Sequence, residues 1–153
     1  MNEIHRIRGQ FRRAYEGPAW HGPSIRECLE GVTPVTAAAK PVANSHSIWE
    51  LVLHIIAWEG IAVRRIRGEA AEATPEMDWP ATPETVRETW AETLAALEAS
   101  HAGLREAMIA LTDDDLEKPV PGADYNIYFL LHGVIQHNLY HAGQMMMLKR
   151  ALS

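Results

Sequence analysis

Eight histidines occur in a chain of 153 residues, and three are spaced so that they can share a metal ion. His137 and His141 are four residues apart, one turn of a helix. They fall on a stripe of Leu130, Val134, His137, His141, Gln144 and Leu148, whose intervals alternate between four and three. The stripe is apolar at both ends and polar in the middle. An unpaired buried polar group costs about 1–3 kcal/mol, so three in succession need a partner. Two imidazoles one turn apart suit a single ion. His54, between Leu51 and Trp58 on the apolar side of an earlier helix, supplies a third ligand if the two helices are neighbours. Three histidines with an open position make a catalytic centre rather than a closed structural one. The competing reading is a bundle with a buried polar network and no metal, which holds if His54 faces away.

The remaining histidines carry less. His101 stands alone in the seam of the third long helix and is expected to be a core-edge residue with a satisfied hydrogen bond. Glu98 and His101 match the Glu-x-x-His of di-iron bundles, which need a second copy that the sequence lacks. His132, five residues before His137, points elsewhere. His5, His21 and His46 lie in or near expected surface segments.

Helices must position these residues. The first is expected over about Asn2–Tyr15, with Ile4, Ile7, Phe11 and Tyr15 at helical spacing, ended by Gly17-Pro18. Two short helix starts follow, a capping box at Ser24–Glu27 and Thr33-Pro34. A second long helix opens on the capping box Ser47-Ile48-Trp49-Glu50 and reaches Gly68. Ala71–Ala81, with Pro75 and Pro80, reads as a loop. Thr82-Pro83-Glu84 opens a third helix whose seam runs from Val86 through Trp90, Leu97 and Leu104 to Leu111. A short turn begins at Thr112, and the fourth helix covers about Asn126–Ala151. No segment alternates long enough for a strand. The expected architecture is an all-α four-helix bundle over residues 1–153, with room for a crossover between helices one and two.

Composition excludes several classes. With 47% hydrophobic and 22% charged residues the chain is globular rather than disordered. No apolar run approaches the ~20 residues that span a bilayer. Fourteen basic against twenty acidic residues give a net charge of −6, which offers nucleic acid no electrostatic footprint. The N-terminus has no apolar core or cleavage site of a secretion signal. The single cysteine, Cys28, permits no intrachain disulfide, and a cytoplasmic location is expected.

The segment Gln136-His137-Asn138-Leu139-Tyr140-His141-Ala142-Gly143-Gln144 resembles the C-terminal signature of the DinB/YfiT-like superfamily. Ser47-Ile48-Trp49-Glu50-Leu51-Val52-Leu53-His54-Ile55 resembles its second-helix motif. The resemblance implies a four-helix bundle in up-down-down-up order, and a divalent metal, most often zinc or nickel, held by His54, His137 and His141. It implies a homodimer and a small-molecule substrate. Members with known activity include thiol S-transferases and a thiol-dependent isomerase. Gln144 and Tyr140 become candidates for supporting the ligands. Glu50, one turn before His54, is a candidate for its free ring N–H as well as the capping-box acid.

Three functions follow. The first is a metal-dependent transferase that activates a low-molecular-weight thiol for attack on a small electrophile, with Arg64 and Arg65 as candidates for a cationic mouth. The second is a hydrolase using metal-bound water, which needs a general base that motif spacing does not supply. The third is a non-catalytic stress-response module that binds metal and dimerises.

Overall fold

In a computed structural model, residues 2–153 are described, and they form seven α-helices and one 3-10 turn, with no strand. Four helices are long: α1 (Glu3–Glu16), α4 (Ile48–Ile66), α6 (Arg87–Ile109) and α7 (Ile127–Ala151). Two short ones, α2 (Ile25–Leu29) and α3 (Pro34–Ala38), occupy the connection from α1 to α4, and α5 (Pro75–Asp78) interrupts the next. The 3-10 turn covers Asp113–Glu117. Among the described residues no helix is long and apolar enough to cross a membrane.

Local chemistry accounts for most starts. Ser24 and Ser47 each accept from the backbone N–H three residues on, while Glu27 and Glu50 reach back to the serine N–H. Two orphan donors are thereby satisfied at each helix start. Thr33 caps α3 the same way, with Thr36 in the acid's place and Pro34 in the first turn. The third long helix departs from expectation. It begins at Arg87, not at Thr82, and Val86 takes an extended φ of −124° with no side-chain cap. Val86 is exposed, and the first buried side chain is Trp90. Residues 82–86 therefore bury no side chain that would offset the cost of ordering a further turn. The expected loop at Ala71–Ala81 likewise holds a helix, α5, capped by Thr74.

Each of α1 and α4 packs against both α6 and α7, so the two consecutive long helices stand diagonally. The pairings Trp49–Thr93 and Glu59–Ser100 advance together along α4 and α6, which run in the same direction. His54–His137 and Arg65–Tyr125 advance oppositely, so α4 and α7 are antiparallel.

The interior has two apolar clusters. One gathers Ile4, Ile7 and Phe11 with Leu104, Met108 and Leu131. The other gathers Trp49, Val52 and Ile55 with Leu97, Ala142 and Met145. Along α4, α6 and α7 alike, a polar layer separates them. Glu59 is fully buried, and its carboxyl accepts from Ser100 Oγ at 2.8 Å and Asn138 Nδ2 at 2.9 Å. His101 Nδ1 is 3.8 Å from the same carboxyl. The His101 ring is stacked between Phe11 and Tyr15, with centroids 4.4 and 3.9 Å away. The expectation of a hydrogen-bonded core-edge histidine is corrected here: His101 is 3% exposed, and neither ring nitrogen has a hydrogen-bond partner among the described residues.

Candidate metal centre

His54 comes from the middle of α4, His137 and His141 from consecutive turns of α7. Because α4 and α7 are antiparallel neighbours, the three rings meet where the helices face each other. Their ligand atoms lie within 4.8 Å of one another. The contact is made by one atom type: His137 Nε2 is 2.9 Å from His54 Nε2 and 3.1 Å from His141 Nε2.

The outer nitrogens fix the protons. His54 Nδ1 faces the backbone carbonyl of Asp78 at 2.6 Å and Asp78 Oδ1 at 3.2 Å. Both oxygens only accept, so this nitrogen carries the hydrogen and donates. His141 Nδ1 donates in the same way to Gln144 Oε1 at 2.6 Å. In a neutral imidazole the other nitrogen is then a lone pair. Two lone pairs thus converge on His137 Nε2, and a single N–H there can satisfy only one of them. Three nitrogens bound to zinc at about 2.0–2.1 Å stand roughly 3.3 Å apart in a tetrahedron, close to the two separations that His137 makes. The donor set fits a metal ion, and His54, His137 and His141 can hold one.

Electrostatics favours the same state. Burial, and then the neighbouring imidazoles, push the His137 pKa from 6.5 down to about 4. Burial chiefly lowers that of His141. Both rings therefore keep their lone pairs at neutral pH.

The sequence-chosen supports separate. Gln144 orients His141, as its position one turn along α7 suggests. Glu50 does not reach His54: its carboxylate is committed to Ser47 N–H and Lys40 Nζ, at 2.7 and 2.8 Å. The capping geometry holds it at the helix start. Tyr140 is 67% exposed, its ring set against His141 with centroids 5.2 Å apart, so it forms a wall rather than a helix contact. Arg64 pairs with Glu69 at 2.8 Å on the outer face. Cys28 takes no part: its thiol is buried and pushed up to about 11 by that burial.

The residues missed by sequence reasoning are on and beside α5. Asp78 orients His54 and also accepts from Trp58 Nε1 at 2.7 Å. Trp79 lies flat on His54, with centroids 4.0 Å apart, and His46 covers its other face at 3.4 Å. His46 is thus at the surface as expected, yet closes a three-ring stack over the site. A four-residue helix between two prolines leaves no periodicity to read.

The Nε2 cluster opens into a cavity of about 480 Å³ between α4 and α7. Trp58, Phe129, Leu130 and Val134 supply apolar walls, and Arg65 and Tyr125 stand among the lining residues. An ion held by the triad has an open side there.

Replacing Gln144 with leucine is expected to weaken metal binding about 10–100-fold, because the ring it orients loses its fixed tautomer. Competition against a chromophoric zinc chelator measures this; unchanged affinity would show that Gln144 gives His141 no support.

Among protein families, the model described as the DinB superfamily matches residues 20–145. No curated protein matches the chain.

Proposed function

The chain belongs to the DinB superfamily, and on that footing we propose that it is a metal-dependent transferase joining a low-molecular-weight thiol to a small electrophile. The observation that carries the reading is the convergence of three Nε2 atoms at the end of an apolar cavity. His54, His137 and His141 would hold a divalent ion, zinc or nickel, and the chemistry it would supply is a lowered thiol pKa, making the sulfur nucleophilic near neutral pH.

The protein's own groups hold and enclose. Asp78 and Gln144 keep protons on the outer nitrogens of His54 and His141, so the inner lone pairs stay aimed at one point. Trp79 and Trp58 shield the His54 side from water, which strengthens electrostatic interactions inside. The apolar walls receive the body of the electrophile. In the net reaction the thiol sulfur bonds to an electrophilic carbon, and the leaving group and the thiol proton depart.

Hydrolysis ranks second. Asp78 is the carboxylate among the cavity-lining residues, and it is engaged by Trp58 and His54. That commitment makes it an orienting group rather than a general base for water.

The test is thiol conjugation to a chromogenic aryl halide, with several low-molecular-weight thiols, using zinc- or nickel-loaded protein and chelator-treated protein in parallel. Metal-dependent conjugation is expected. Ester cleavage without a thiol requirement would favour the hydrolase, and inactivity in both assays would favour a non-catalytic metal-binding module.

A further inference from the structure

The cavity beside the triad has a second polar end. Arg65 follows His54 by eleven residues, close to three helical turns, so both lie on one face of α4. Trp58 stands between them: its ring is 6.0 Å from that of His137, and the Arg65 guanidinium lies 5.7 Å over it. Guanidinium and triad are thus separated by no more than the sum of two ring contacts. Leu130 and Val134 line the same cavity from α7.

Arg65 is held firmly, and by neutral groups. Its Nε donates to the Ala71 carbonyl at 2.9 Å and its Nη1 to the Tyr125 hydroxyl at 2.7 Å. Among the described residues no carboxylate pairs with it, in contrast to Arg64, which pairs with Glu69. Nη2 keeps its hydrogens free, and Tyr125, having accepted from Arg65, still has its own proton to donate. An oriented, uncompensated guanidinium at an apolar wall, with a second donor beside it, is an anion receptor in need of its anion.

Resting on the reading of this cavity as the substrate site, we infer that its ligand is a carboxylate-bearing small molecule. Its anionic end pairs with Arg65 and Tyr125, its apolar middle lies along Trp58 and Val134, and its reactive end reaches the triad. The carboxylate can belong to the electrophile or to the thiol. In either case Arg65 fixes the distance from anion to reacting atom, and so selects length as well as charge.

Binding is measured calorimetrically with two probe pairs, each a carboxylate and its primary amide. One pair is 3-phenylpropionate and 3-phenylpropanamide; the other is 3-mercaptopropionate and its amide. Parent, Arg65→Gln, Arg65→Lys, Tyr125→Phe and Arg64→Gln proteins are compared, zinc-loaded and chelator-treated. The parent is expected to prefer a carboxylate over its amide at least tenfold, and Arg65→Gln to abolish the preference. Arg65→Lys should keep part of it, Tyr125→Phe should weaken it, and Arg64→Gln should leave it unchanged. Preference confined to the thiol pair places the anion on the thiol; preference in the thiol-free pair places it on the electrophile. No preference, or one that survives Arg65→Gln, overturns the inference. The chelator-treated arm separates the two readings. Arg65-dependent preference in a protein that takes up no metal would sink the transferase and leave the anion site standing. Metal uptake without that preference would do the reverse.

Discussion

The parent is expected to hold about one equivalent of a divalent ion per chain, and a protein carrying His137→Ala and His141→Ala to emerge with no bound metal. Loss of a group that merely orients a ligand costs about 10–100-fold in affinity, and this variant loses two ligands outright. His54 is left alone, and a single imidazole does not retain an ion against a chelator. The bundle should survive. Alanine is the best helix former, and both rings line a cavity rather than fill the apolar clusters. The polar layer around Glu59 keeps all its partners. Metal content by mass spectrometry, beside helicity by circular dichroism, checks both halves. A folded variant that still carries its ion would place the metal elsewhere. A parent that takes up neither zinc nor nickel would end both enzymatic readings.

Acidification is expected to destabilise the metal-free protein through the same rings. His137 binds its proton at about 4 in the folded state and at its ordinary 6.5 when unfolded. Between those values the unfolded chain binds more protons, so stability falls as pH falls through the window. Above about 6.5 both states are neutral and the ring contributes no pH dependence. Below about 4 the full penalty is reached. Allowing for the open side of the cavity, it amounts to about 2–3 kcal/mol. The lowered His141 acts with the same sign. Other groups also titrate in acid, so the readout is the difference between the parent and a His137→Gln variant in urea midpoints, with chelator present. The parent should lose ground to the variant steadily from about pH 6.5 to about pH 4. A constant difference would show that His137 titrates alike in both states. Metal should leave the loaded protein only toward and below about pH 4, where the folded ring itself takes up a proton, since protons and the ion compete for one lone pair.

Much of this was legible because helices announce themselves. The capping boxes at Ser24 and Ser47 and the stripe through His137 and His141 are written in consecutive residues, and the structure has each helix there. Membership of the DinB superfamily agrees with the resemblance carried by the segments around His54 and His137–His141. Two misses differ in kind. Asp78 and Trp79 were hidden, because what brings them to His54 is the path of a proline-bounded connection. The buried Glu59–Asn138 pair was available. Val52, Ile55, Glu59 and Ala62 repeat at three and four, and so do Leu131, Ile135, Asn138, Ala142 and Met145, with the apolar members all buried. Each stripe carries one polar residue among apolar ones, the signal that singled out the histidines. Together the two stripes pair α4 with α7 at this level from the sequence alone.

His54 and His141 are oriented by different kinds of partner, and the difference bears on how freely the site can change by mutation. His141 relies on a side chain, Gln144, so one codon change removes its support. The shorter contact of His54 is to a main-chain oxygen, that of Asp78, 2.6 Å away, and no substitution of the side chain deletes a carbonyl. Asp78→Ala should therefore leave the His54 tautomer in place as long as α5 keeps its course. Drift in sequence is free to retune the His141 side of the centre one residue at a time. The His54 side changes only if the connection itself is rebuilt.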